Sequence, residues 1–391
     1  MEVKFEKAKP EDYDDATDFG NYVFSHDDVP RDGPTLLPKI HKPEYFMEGI
    51  HYLAREGGRI KAAAGAYPVD WEFQPDIRLP GRGIGMVTVH PYSRSRGLMK
   101  ELMNWLLDDI KRDGIVFAFL TGLRQRYEYF GFSLTGSIYT FVCNKYNIRH
   151  VLGSQWDTKL SLKLVGPGDK ALLDKIYDFH QAKISRLHRQ KDKFFDILSS
   201  WKAKTFAVTN GERFEGYFIS REDRTGEVII SEVNLFDYSQ MPEVLGLFMR
   251  QTEGMKEPLR INAGPHEREK ISALSSIAET YNQSPVSHFA IFDYLRFTEP
   301  FLKLASKIRN LADGSFVFQI EGGPRLRMAV AQGVPSLKET SDPSELSLKH
   351  LEAQQFLFSP LVAETFPIIG KNTFLQSLLP LPLFFESADG I

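Results

Sequence analysis

Residues 87–100 read VTVHPYSRSRGLMK, and this stretch limits the possible fold more than any other. A β-branched run, Val87-Thr88-Val89, stops before Pro91, which cannot donate to a sheet ladder. Arg94-x-x-Gly97 follows, and Leu98, Leu102, Leu106 and Ile110 then repeat at helical spacing. A strand therefore turns through a basic, glycine-marked loop into a helix. The first N–H groups of that helix have no partner inside it, and its dipole is positive at that end, so the turn is suited to hold phosphate. Arg94 and Arg96 can add charge-assisted hydrogen bonds. The helix is expected over 98–112, closing at Gly114 with Lys111 and Arg112 in its last turn.

Around this turn the order is strand and helix in alternation. Residues 3–7 read as a strand, and Pro10-Glu11-Asp12 opens a helix. Strands near 52–55 and 60–67 flank Gly57-Gly58 as a hairpin. The apolar run 115–120 reads as a buried strand parallel to 86–89. A short helix over 124–130 stops at Gly131, and 132–143 carries the last strand or strands of this unit. Residues 161–180, 207–220 and 227–249 repeat the order, but no glycine or arginine follows Val233-Asn234-Leu235 before the next helix. We read this as an internal duplication whose second copy lost its phosphate turn, the alternative being a coincidental α+β pattern. Beyond 289 come a strand and helix to 304, a hairpin of 316–320 with 326–330, a helix over 346–356 and an apolar tail. The expected domains are 1–150, 151–288 and 289–391. At about 150 residues per domain, 391 residues suit two or three.

Composition narrows the function. The chain is 42% hydrophobic and 25% charged, as a packed globular protein is, and its net charge of −3 argues against bulk nucleic-acid binding. The single cysteine, Cys143, lies in the apolar run IYTFVC and is expected to be buried packing. No Cys/His cluster has zinc-site spacing, so no metal is expected. The N-terminal residues carry no apolar signal region, and the run 378–385 is too short to span a bilayer, so a cytoplasmic location is expected. The basic run 183–193 reads as a solvated helix face.

Val87-x-Val89-x-Pro91 with Arg94-x-x-Gly97, followed one helix and one strand later by Tyr127-x-x-x-Gly131-Phe132, resembles the GNAT N-acetyltransferases. Met99 departs from the small residue usual at that position. The full-length layout resembles the Eis (enhanced intracellular survival) subfamily. That resemblance implies a mixed α+β fold: tandem GNAT-like domains, the second degenerate, and a C-terminal sterol-carrier-protein-like domain. It also implies acetyl-CoA as cosubstrate and a homo-oligomer. Backbone groups of Val87, Thr88 and Val89 would then align the acyl-pantetheine arm. Arg94, Ser95, Arg96, Gly97, Leu98, Met99 and Lys100 would hold the pyrophosphate. Tyr127 would protonate the departing sulfur, and the carboxylate of Ile391 would be the base, with Glu386, Asp389 or a water chain as substitutes.

The reaction implied is acetyl transfer to a primary amine of an aminoglycoside, peptide lysine, polyamine or small metabolite, by direct attack in a ternary complex. At a reference pKa near 10.4, about one alkylamine in a few thousand is neutral at pH 7, so a base or a desolvating pocket helps. Residues 11–32 carry eight acids against the single base Arg31. Asp27 and Asp28 among them are expected to favour a cationic amine, or else to form a solvated face. The alternative function is a non-catalytic scaffold or sensor that binds CoA or an apolar ligand.

Overall fold

The computed structural model describes residues 2–26, 29–252 and 256–391, so the substrate expectation for Asp27 and Asp28 lies outside the described residues. In chain order the strands begin β1 (Val3–Lys7), β2 (Ile50–Glu56), β3 (Arg59–Phe73), β4 (Ile77–Val89), β5 (Phe117–Leu120), β6 (Ser133–Thr135) and β7 (Ile138–Cys143). Next come β8 (Leu160–Leu164), β9 (Ser185–Leu187), β10 (Lys204–Asn210), β11 (Arg213–Glu222), β12 (Glu227–Leu235), β13 (Lys256–Ala263), β14 (Thr280–Ser284) and β15 (Ser287–Ile291). The C-terminal strands are β16 (Gly314–Ile320), β17 (Arg325–Ala331), β18 (Val334–Glu339) and β19 (Leu346–Leu348).

They build three sheets among the described residues. The first runs β1-β2-β3-β4-β5-β15-β6 with β9 paired to β3, the second β8-β10-β11-β12-β13-β7-β14, and the third β18-β17-β16-β19. The first two have the same plan: β4–β5 and β12–β13 are parallel, and every other neighbouring pair in those two orders is antiparallel. The sixth position of each sheet is filled from the other repeat. β7, within 1–150, enters the second sheet, and β15 returns to the first. Two residues separate β6 from β7 and two separate β14 from β15, a spacing that suggests hairpins. Each link instead opens outward. Gly136 (φ 78°) turns the first away, and its N–H is taken by Phe358 O and that of Ser137 by Leu383 O.

Local chemistry explains the elements that carry the site. Gly97 adopts φ 79° as the residue before the helix Leu98–Arg112, a conformation a side chain resists even though a Cβ there would meet nothing within 4 Å. Leu98, Leu102, Leu106 and Ile110 are all buried on one face of that helix. Gly114 (φ 72°) ends it, with Ile115 N–H on Ile110 O.

The C-terminal unit packs through the helix Tyr294–Ile308 onto the first sheet. Trp71 meets Phe301 at 4.9 Å and Phe297 at 6.2 Å between ring centroids, in one core that also holds Phe117 and Phe289. Each such ring contributes about 1.5–3 kcal/mol by leaving water. The helix expected over 346–356 is divided. Leu346–Leu348 adds parallel to β16, and the helix His350–Phe358 starts after Lys349, whose N–H bonds Glu352 Oε2 at 2.8 Å. Residues 183–193 are not a helix either: they include β9, and Arg189 is fully buried. Cys143 is buried as expected, and burial pushes its thiol up to about 12. No helix among the described residues is long and apolar enough to cross a membrane.

Candidate active site

The strand parallel to β4 pairs earlier than expected. β5 is hydrogen-bonded to Gly81–Gly83 of β4, not to 86–89. The cause is a bulge in β4. Two steps on β3, from Gly65 to Ala63, span three on β4, from Gly85 to Thr88, and Met86 takes φ 53°. Past Gly83 the strands diverge, and the chain leaves β5 at Thr121-Gly122. Among the described residues, Ile84–Val89 have no ladder partner on that side. An extended, amide-bearing ligand can add there as a strand would.

The bulge also sets the faces of the expected residues. Val87 and Val89 lean on the core beneath the helix Leu98–Arg112, and Met86 on that of the helix Tyr13–His26. Thr88 is buried, with Oγ1 donating to Met86 O at 3.1 Å. Beyond them, Arg94, Ser95, Arg96 and Gly97 form an exposed turn in which Ser95 (φ 66°) and Gly97 are left-handed. Leu98 is buried and Met99 half-buried, so the larger residue at 99 packs inward rather than into the turn. Lys100 lies over the Tyr129 ring at 5.0 Å. Arg96 grips Glu56 with two bonds of 2.8 and 3.0 Å, so a phosphate would compete with that carboxylate. His90 stacks among Phe19, Tyr22 and Tyr92, a packing role.

Two adjacent residues at the end of β5 hold the two candidate proton-transfer groups. A Cβ on Gly122 would lie 2.4 Å from Tyr127 Cε2, so this glycine is what lets the ring lie against the strand end. Tyr127 is buried, its hydroxyl has no hydrogen-bond partner among the described residues, and burial raises its pKa. Next to it, Thr121 Oγ1 donates to Ile391 O at 3.4 Å. The Ile391 side chain fills the space left by two glycines: a Cβ on Gly83 would be 2.1 Å from its Cδ1, and on Gly85 2.7 Å from its Cγ2. The tail thus reaches the point where β4 and β5 part.

On its way the tail crosses the second sheet at the matching place. Phe384 packs where a Cβ on Gly264, just past β13, would be 2.2 Å away. Arg189 then binds both oxygens of Asp389, at 2.7 and 3.0 Å, and Glu232 of β12 at 2.7 Å. Lys183 joins Glu386 at 2.8 Å to Glu232 at 3.0 Å, and Lys39 donates to Ala388 O and Gly390 O at 2.6 Å each. Burial pushes Lys39 down to about 7. Asp389 is thereby committed to Arg189 and poorly placed to act as a base. None of these cations was recognised as a site residue from sequence. The signal available was Glu232, an acid in the middle of the apolar strand EVIISEVNL, where burial requires a cation.

Glu386 supplies a pH test. Burial, the largest influence, pushes its carboxyl up to about 7 against an ordinary 4.5, although Lys183 opposes this. The folded protein therefore holds this proton more tightly than the unfolded chain, and stability falls as pH rises between those values. Glu386→Gln has no such slope. Its stability relative to the parent should rise from pH 5 to pH 8, as read by urea denaturation at both values.

These features, a bulged strand parting from its parallel neighbour above a glycine–arginine turn, are those of a sheet of the GNAT kind. Residues 4–135 match the acetyltransferase (GNAT) domain family. A search of curated proteins gives no match. Among solved structures, the probable N-acyltransferase of Enterococcus faecalis V583 is 16% identical, with 99% of this chain and 100% of that one covered at a TM-score of 0.70. A GCN5-related N-acetyltransferase from Kribbella flavida is 15% identical over 98% and 99% of the two chains, with a TM-score of 0.65. Eis1 from Mycobacterium abscessus is 13% identical over 90% and 88%, at 0.57. The fold is the Eis-like one: tandem GNAT sheets plus a C-terminal domain.

Proposed function

We propose that the chain transfers an acetyl group from acetyl-CoA to a primary amine by direct attack. The observation that carries this is the pairing of Thr121 with Ile391 and of Gly122 with Tyr127, at the mouth of the gap between β4 and β5. The unpaired edge of β4 orients the acyl arm, and the exposed 94–97 turn with the first N–H groups of its helix receives the pyrophosphate. In the transfer, the amine nitrogen forms a bond to the acyl carbon and the C–S bond breaks. The nitrogen loses one proton, for which the carboxylate of Ile391 is the proposed acceptor. The sulfur gains one, which Tyr127 holds on its hydroxyl and later recovers from solvent. Two domains of the expected division, 151–288 and 289–391, serve in this reading to carry the tail to that point.

Thiol release from acetyl-CoA, followed over a panel of primary amines, tests the reaction. Turnover should require both substrates, and removal of residues 389–391 should abolish most of it. Tight CoA binding with no thiol release from any amine would favour the scaffold reading. Undiminished activity of the shortened chain would take Ile391 out of the mechanism.

A further inference from the structure

A cavity of about 1260 Å³ opens from Thr121 and Ile391 toward the second repeat. None of residues 94–100 lines it, so it is a different opening from the phosphate turn. Among the described residues its wall carries more cations than acids. Five cations line it, Arg31, Lys202, Lys204, Arg221 and Arg224, against the acids Glu222 and Asp223 among the described residues. Asp223 is already engaged: its carboxylate accepts from Thr225 N at 2.8 Å, Thr225 Oγ1 at 2.8 Å and Glu227 N at 2.9 Å. Lys202, Lys204 and the half-buried Arg221 make no hydrogen bond or salt bridge with any described side chain, and the charge felt by Arg221 is that of Asp223. Burial, the larger influence, still holds the Arg221 guanidinium below its ordinary value. Three cations of the wall, Arg221, Lys202 and Lys204, thus have no carboxylate bonded to them among the described residues.

A second observation lies at the same rim. Trp201 and Lys202 are consecutive non-glycine residues with left-handed backbone, at φ 63° and 57°. One such residue is uncommon, and two in succession are strained. This geometry sets Trp201 against the cluster of Leu37, Ile40, Tyr67 and Ile391, and leaves Lys202 on the cavity wall. Strain of this kind persists where the surroundings impose it, and here it links the end of the tail to the cavity's cations.

We infer that the acceptor amine of this chain also carries a carboxylate, which Arg221, Lys202 and Lys204 engage while the amine lies against Thr121 and Ile391. The inference rests on the acetyltransferase reading and names its acceptor class. Bidentate Arg–carboxylate bonds would fix the acceptor's orientation, and an amide in place of the carboxylate would lose them. The bond-making step is the one given above.

The test compares glutamyl-glutamate, its triamide and spermidine as acceptors for the full-length protein with acetyl-CoA. We expect kcat/KM for the acid peptide to exceed that of the triamide by about tenfold or more, the scale of one hydrogen bond to a charged group. Arg221→Gln should erase most of that advantage while leaving triamide turnover and the KM for acetyl-CoA unchanged. Lys202→Gln reads the same contact if Arg221→Gln folds poorly. Equal or better turnover of the triamide or spermidine would overturn the inference and leave acetyl transfer standing. A rise in the KM for acetyl-CoA in Arg221→Gln would also overturn it, by assigning the cation to the cofactor. If no amine releases thiol, the failure belongs to acetyl transfer, and calorimetric binding of the acid peptide against the triamide decides the anion site. Preference for the acid, lost in Arg221→Gln, upholds it, and no preference sinks it.

Discussion

Replacing Tyr127 by Phe is expected to lower kcat by about 10²–10⁴-fold, the range over which a positioned general acid acts. The KM for acetyl-CoA should stay nearly constant. The reasoning is local. The ring lies between Gly122 and Phe132, whose ring centroid is 6.4 Å away, and Phe keeps both contacts. Only the hydroxyl is lost, and it holds no protein partner among the described residues, so little folding stability goes with it. Burial raises the Tyr127 pKa, which keeps the proton in place at neutral pH, as a donor to a departing thiolate requires. Steady-state kinetics with a thermal melt separates the outcomes. A variant that melts like the parent and turns over at the parent rate would leave Tyr127 as packing alone.

The second large effect is expected from Arg189→Met. Arg189 is fully buried and holds Glu232 and Asp389 together. Burial drives the Glu232 carboxyl upward, but the nearby Arg189 and Lys183 charges outweigh it and hold it well below the ordinary range. Its contribution is therefore present at neutral pH and is lost only as pH falls through the folded value. Removing Arg189 leaves two buried acids short of a partner, a change that costs about 3–5 kcal/mol. The tail should loosen as well, taking Ile391 away from Gly83 and reducing turnover beyond the loss of folded protein. Urea denaturation at pH 7 measures the first effect, and thiol release per folded molecule the second. Asp389→Asn, which keeps the shape and removes one charge, should show the loosened tail with less destabilisation. A loss under about 1 kcal/mol in Arg189→Met would mean that the cluster does not hold the tail.

The parts of the site that read directly from sequence are those whose chemistry is contiguous. The strand 87–89, the turn 94–97 and the helix 98–112 are neighbours in the chain, and Gly97 marks a left-handed backbone that few other residues tolerate. Tyr127 is legible as a candidate because its motif lies one helix and one strand downstream of the same turn. The basic run 183–193 reads as a solvated helix face because composition does not show what faces a cation. Lys183 and Arg189 look like surface charge until Glu232, Glu386 and Asp389 are brought to them from 43 to 203 residues away. Arg96 likewise reads as a phosphate ligand, yet it is engaged by Glu56, 40 residues earlier.

The sequence by itself determined that the chain repeats one framework twice and that only the first copy keeps the glycine and arginines of VTVHPYSRSRGLMK. Glycine conformational freedom and helical periodicity are local properties, legible over a dozen residues. The tertiary structure alone decided the reciprocal exchange of β7 and β15, the parting of β4 from β5 at Gly83, and the tail's route past Gly264 to Gly83. Those outcomes depend on which edge a strand meets and on which buried charge finds its opposite. Both are settled by contacts between residues far apart in the chain, about which local propensity carries no information.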